Sequence, residues 1–527
     1  MRKLFLTLLA GLSVWPVAAQ EEHIVKAALY LSGASSEEEI PSDWIERLES
    51  AQTLRINSPH LHSGVLLTDY QVACILDYRA SSGDILSWDE LALVDGFSPE
   101  AVSALKPFLS LASDRLPGQA DTVRLRATAL VRTTLSAVGA KGKASAGHWR
   151  AGLAWRGKDG TAYAEGQWRR SRILSGDFHT RWGQGLAAWT GFTMESLSTV
   201  DAFVKRATGI SPVWSYSSSS VHRGVAYEYA GTHLRAMAFA ARGKDFGVHA
   251  DYLWRNGQLG MTALLADGIY TFSLDGRYNR KGVDYVGEAA FRNRTFSGKL
   301  AIRGKMGESW KWALQGRMIP SRYSGKKYGE YAFAAGLNYL KRNKHLFSLT
   351  ADASALPIPG TDPRRFQIRV YGIWQWNVSE RWLLDTRITE RYRNYEAPRT
   401  DFRADVKFTS GPWLSVFRAE TDYCGGWGFL SYLEGGRKDE KSALYLRLTG
   451  FWIDQWSSRI YCYERDAPGT FSVPAYNGRG ISASLVGSYK LRIGHRFSLK
   501  ANLRAACQLR ATQKPAYTLN LQLQGDI

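Results

Sequence analysis

Apolar and polar side chains alternate with a period of two from Val123 almost to the end of the chain. In TVRLRATALVR, Val123, Leu125, Ala127, Ala129 and Val131 share one face, and Arg124, Arg126, Thr128 and Arg132 share the other. YTFSLDGRY sets Tyr270, Phe272, Leu274 and Tyr278 against Thr271, Ser273, Asp275 and Arg277. FSLKANLRAACQLR sets Phe497, Leu499, Ala501 and Leu503 against Ser498, Lys500, Asn502 and Arg504. Successive side chains of an extended strand point to opposite sides, so each segment is a strand with one apolar and one charged face. A dry sandwich core cannot hold those arginines. A closed barrel satisfies both faces: apolar residues meet lipid, charged ones line the interior, and closure leaves no unpaired edge in the hydrocarbon. The apolar faces often begin or end in Trp, Tyr or Phe, as interfacial girdles do.

The segments recur about every 18 residues, which over residues 118–527 predicts roughly 20 to 24 strands, an even number being usual for bacterial barrels. The expected fold class is therefore mainly β: a large antiparallel transmembrane β-barrel with a small all-α domain at its N-terminus. The first residues agree with this destination. Met1-Arg2-Lys3 is a basic head, Leu4 to Val14 an apolar core, and Val17-Ala18-Ala19 a small-residue cleavage site, so residues 1–19 read as an export signal. No later run of some 18 apolar residues offers a transmembrane helix. The expected location is the outer membrane of a Gram-negative bacterium.

Charge divides the chain. Residues 20–117 hold 16 Asp and Glu against 6 Lys and Arg, a net of −10, whereas residues 118–527 hold 60 basic against 32 acidic residues, a net of +28. The junction LASDRLPGQAD carries Pro117 and Gly118 and reads as a linker. The acidic part has helical spacing: Trp44, Ile45 and Leu48 in one segment, then Val72, Ile75, Leu76, Val102, Leu105 and Phe108 on faces that share a core. Within it, INSP…DYRASSGDILSWDELALVDGFSPEAVSALKPFL resembles the tandem helix-hairpin-helix domain of bacterial competence-type DNA receptors, over residues 55–110. That resemblance implies hairpin turns whose backbone N–H groups hold DNA phosphates at a Gly-x-Gly preceding a helix. Here the first turn, Leu67-Thr68-Asp69-Tyr70, has no glycine, and Asp69 would repel a phosphate. The second keeps Gly96 but has Ser98 in place of the other glycine, between Asp95 and Glu100. Gly96 and Ser98 are thus DNA contacts only under a DNA-uptake reading, and the net charge of the segment argues against nonspecific DNA attraction.

GDFHTRWGQGLAAWTGF places Asp177, His179 and Arg181 on one side of an extended chain. Read as one polar row among many, they line the lumen together with Arg124, Arg126, Lys500 and Arg504; Gly183 and Gly185 ease curvature or a bulge. Residues 193–220 are too long for a turn and read as an extracellular or inward-folded loop. RIYCYERDAPGTFSVPAYNGRG, from Arg459, carries Glu464, Arg465 and Asp466 and reads as a salt-linked loop near a mouth or constriction. These two motifs and HRGVAYEY resemble a group of outer-membrane proteins of the Bacteroidetes type; the resemblance implies place and architecture and carries no substrate.

Chemistry at a catalytic centre is not expected. There is no convincing Ser/His/Asp arrangement, His60-Leu61-His62 has no partner cluster for a metal, and no cofactor motif is present. Cys74, Cys424, Cys462 and Cys507 are scattered; Cys424 and Cys462 are either a disulfide or free thiols. The sequence therefore points to a pore or gated transporter, with residues 20–117 either plugging the barrel or hanging free in the periplasm. A DNA-uptake component acting through the helix-hairpin-helix domain is the alternative. Membrane lipid, a periplasmic or outer-membrane protein and an anionic solute are the expected partners.

Overall fold

The computed structural model describes residues 20–51, 53–58, 61, 64–113, 125–191, 197–341, 344–358, 365–439, 441–467, 472–493, 497–511 and 513–527. The export signal, His60, His62, Arg124 and most of the linker lie outside these residues.

Twenty-four antiparallel strands form a closed ring. The first, Arg126–Thr134, pairs with the last, Ala516–Asp526, in the register Thr128↔Asp526, Val131↔Leu523 and Thr134↔Asn520. A 2.8 Å hydrogen bond from the Thr128 hydroxyl to Asp526 fastens the seam. Many neighbouring strands join through two-residue turns. Asp267 and Gly268 (φ 51° and 74°), Lys281 and Gly282 (50° and 77°) and Asn293 and Arg294 (51° and 59°) are left-handed in succession, the turn whose twist matches that of the flanking strands.

The alternation in the sequence becomes an outside and an inside. In Asp245–Trp254, Phe246, Val248 and Tyr252 are exposed, whereas His249, Asp251 and Leu253 are buried. In Ser442–Ile453, Leu444, Leu446, Leu448 and Trp452 face outward, and Tyr445, Arg447 and Thr449 inward. Among the described residues no helix is long and apolar enough to cross a membrane; the crossing elements are strands. An edge-free ring with an apolar, aromatic-trimmed exterior and charged residues within is the architecture of the Gram-negative outer membrane, and that is where this protein resides. Leu448→Arg near the middle of its strand is expected to cost about 2–4 kcal/mol of insertion free energy, although Arg447 next to it is native. Urea-titrated folding into lipid vesicles measures this, and wild-type stability for the variant would refute the outward assignment.

Helices precede the ring: α1 Gln20–Ser32, α2 Ser42–Ser50, α3 Asp69–Ser82, α4 Trp88–Leu93 and α5 Pro99–Leu105. Their starts are written in the sequence. Thr68 and Gln71 form a reciprocal capping box on α3, Ser87 and Glu90 do so on α4, and Ser98 caps α5. Trp44, Ile45, Leu48, Val72, Ile75, Val102 and Leu105 enter one buried core, with Leu76 and Phe108 packed at its edge. Each such aliphatic side chain contributes about 1.5–3 kcal/mol when fully buried. Buried Asn57 ties the unit together through Ile85 and the Leu111 carbonyl, at 2.8–3.0 Å.

Candidate functional site

The acidic helical unit sits inside the ring, and its charges meet the inner face of the wall around the circumference. Asp69, the first residue of α3, forms a buried ion pair with Arg235 on Leu234–Ala241. Glu38, between α1 and α2, bridges Arg403 (2.7 Å) on Glu396–Ser410 and Arg418 on Trp413–Tyr423. It also accepts the Tyr463 backbone N–H. Lys141 reaches Glu46 at 3.4 Å, Lys143 donates to the Glu49 carbonyl, and Lys311 pairs with Glu100 at 3.1 Å. The Arg277 guanidinium lies 4.2 Å from the Tyr70 ring centre. Burial alone would push the Glu38 carboxyl up, but Arg403 and Arg418 outweigh it and hold the group well below the ordinary carboxylate range. Glu100 behaves alike: partial burial opposes ionisation, Lys311 and the Ser98 hydroxyl favour it, and the carboxyl falls to about 2.

The chain that opens GDFHTRWGQG leaves the wall. Ser171–Arg181 pairs with His222–Ala230 as far as Phe178, and from Phe178 to Arg181 pairs instead with the short strand Gly209–Pro212. The departure occurs near Gly176, whose φ of +112° and close approach to the Ala162 carbonyl exclude a side chain. Beyond it, every residue from Asp177 to Trp182 is buried, on both faces. Asp177, His179 and Arg181 consequently do not form one water-facing row. Asp177 pairs with Arg223 at 2.7 Å and accepts the Ala162 N–H; His179 contacts the Thr190 hydroxyl at 3.2 Å. The Arg181 guanidinium lies between the rings of Trp189 (5.4 Å) and Trp44 of the helical unit (5.6 Å). The described residues between Arg181 and His222 fold inward: Phe203 lies against Gly336 on the far wall, and the Trp214 indole donates to the Gly142 and Leu153 carbonyls.

Gly183 and Gly185 do more than ease a bend. Both are left-handed (φ 57° and 82°), and the turn they make turns three amides toward one wall carboxylate. Glu288 accepts the N–H groups of Gln184 (2.7 Å), Leu186 (3.0 Å) and Ala187 (3.0 Å). The turn is an anion nest occupied by the protein's own side chain.

The loop after Ile453 is salt-linked as its composition suggests. Asp466 meets Arg504 (3.0 Å), Arg132 (3.4 Å) and Asn520, Glu464 also pairs with Arg504, and Arg465 pairs with Glu434 at 2.7 Å. Of the residues expected in the lumen, Arg504 is therefore an anchor for this loop. Lys500 is half-buried on the same inner face, Arg126 is exposed where its strand begins, and Arg124 lies outside the described residues. All four cysteines are free, and the Cys462 sulfur sits 3.8 Å from Arg418 and Arg447. The hairpin turns are committed to the protein. The Gly96 carbonyl accepts from Gln71, the Ser98 hydroxyl accepts the Ala101 N–H, and Asp69 faces Arg235, so the DNA-uptake reading gains no support.

Sequence reasoning missed Glu38, Arg235, Arg403, Arg418 and Glu288 as the residues that join the helical unit and the inward segment to the wall. Each lies in an ordinary alternating or acidic stretch, and its partners across these contacts are from 101 to 425 positions away.

No family model and no curated protein matches this chain. Solved structures of similar fold include an E. coli P pilus tip assembly intermediate, PapC-PapD-PapK-PapG (10% identity, 78% of this chain, 62% of that chain, TM-score 0.47). Others are the outer membrane protein opdK of Pseudomonas aeruginosa (9%, 77% and 99%, TM-score 0.32) and the FrpB iron transporter of Neisseria meningitidis (6%, 77% and 81%, TM-score 0.39). The chain spans 62% of the first of these, and at such identities the likeness concerns the barrel fold alone.

Proposed function

We propose that this protein is a gated outer-membrane transporter without enzymatic activity, in which residues 20–117 are a plug derived from a helix-hairpin-helix unit. The observation that carries the reading is Glu38 held between Arg403 and Arg418: an acidic residue of the helical unit supplies a second counter-charge to two buried wall arginines that share Asp405. The plug is held by ion pairs and hydrogen bonds, which a partner or solute can exchange, and residues 118–527 carry a net charge of +28, which suits anions. Deleting residues 20–117 while retaining the export signal, then recording in planar bilayers at two ionic strengths, tests the gate. The expected result is a larger, anion-selective conductance that loses selectivity as salt screens the wall. Unchanged conductance overturns the reading.

A further inference from the structure

A cavity of about 190 Å³ lies where plug, inward segment and wall meet, room for about six water molecules at ~30 Å³ each. The plug contributes Tyr30, Trp44 and Gln71. The inward segment contributes Arg181, Lys205 and Arg206, and the wall Arg277, Lys299, Arg303 and Arg317. Seven cationic residues thus line the cavity against a single acid, Asp201.

Carboxylates stand behind three of these cations. Asp284 serves both Arg277 (2.8 Å) and Arg303 (3.1 Å), and Glu330 and Asp352 serve Arg317. Among the described residues Arg206 donates to the Leu66 carbonyl and to the Gln71 side chain and lies beside Tyr30, all three on the plug. Among the described residues the Nε atoms of Arg206 and Arg277 are buried without a hydrogen-bond partner, a cost of about 1–3 kcal/mol or more for a charged group. Burial, with Arg277 and Arg303 close by, pushes the Arg206 guanidinium down to about 10, with Tyr30 opposing.

Building on the gating reading, we propose that this cavity is the binding site for a small polyanion, a solute with two or more ionised oxygens such as a phosphate monoester or a tricarboxylate. The site is complete only with the plug docked, and Arg206 belongs to both functions. An anion that takes its donors competes for them with Leu66 and Gln71, so solute entry and plug release share one residue.

Calorimetric titration of the full-length protein in detergent with citrate, with inorganic phosphate and with neutral glycerol tests the site. Saturable binding of citrate or phosphate and none of glycerol is expected, and whichever anion binds more tightly identifies the class. Arg206→Gln should weaken that binding at least tenfold. Lys205→Gln, which keeps the Arg206 contacts to the plug, should weaken it severalfold, with heat-modifiable gel mobility confirming that both barrels are folded. Absent, non-saturable or variant-insensitive binding discards the site. If the plug deletion nevertheless opens the channel, the gate survives that loss. Saturable, variant-sensitive binding together with unchanged conductance on deletion keeps the site and discards the gate.

Discussion

Glu38→Gln combined with Asp69→Asn should convert a closed channel at neutral pH into one that opens spontaneously. Removing one partner of a buried ion pair costs about 3–5 kcal/mol where the other charge stays uncompensated; Arg403 and Arg418 keep Asp405, so Glu38→Gln falls below that range and Asp69→Asn is the larger of the two. At 1.36 kcal/mol per factor of ten, the full range corresponds to a shift of the docking equilibrium by roughly 10² to 10⁴. The two sites lie on well-separated strands, Arg235 on one and Arg403 and Arg418 on others, so their effects should add. The barrel itself keeps its strand pairing, and heat-modifiable mobility should remain that of the wild type. Single-channel recording reads the open probability. Wild-type closure in the double variant would show that these pairs do not hold the plug.

Acid should open the wild-type channel. The Glu38 carboxyl is lowered in the docked state by Arg403 and Arg418, in spite of burial. A group lowered on docking binds fewer protons docked than free, so its contribution is complete above the free value of about 4.3 and is lost as pH falls through the lowered one. Glu100, lowered to about 2, adds a smaller effect of the same sign, reduced by its exposure. Open probability should therefore rise between about pH 5 and 2, and Glu38→Gln, already uncharged, should remove most of that dependence. A pH-independent wild type, or an undiminished response in the variant, would assign the closure to other groups.

The ring was legible because its signal is repeated: in strand after strand, apolar residues at alternate positions oppose polar and charged ones, and closure in lipid accommodates both. The helices were legible through their caps and spacing. What escaped was decided at single positions. Asp177, His179 and Arg181 follow the same alternation as the wall strands, and only the backbone at Gly176 and the competing edge of Gly209–Pro212 carry them inward. Gly183-Gln184-Gly185 reads in the sequence only as easing curvature, and the amides that its turn exposes are taken up by Glu288 on a distant strand. Whether residues 20–117 plug or hang free was undecidable from net charge, because −10 against +28 sets attraction without geometry; the pairing of Glu38 with Arg403 and Arg418 supplies it.

Ring size has a consequence for permeability. Eight strands can fill their own interior with side chains, whereas at 22 strands the known transporters need a separate filler; the 24 strands here pass that limit. On the gating reading proposed above, the leak through each molecule equals the fraction of time its filler is away. A docking free energy of about 5.5 kcal/mol corresponds to one undocked molecule in about 10⁴, and each further 1.4 kcal/mol divides the leak by ten. The tether, residues 114–125, keeps a released filler close to the opening, which favours rapid return. On that reading, the tightness of the bacterial envelope at this protein is an equilibrium constant, written in a few carboxylates and adjustable one residue at a time.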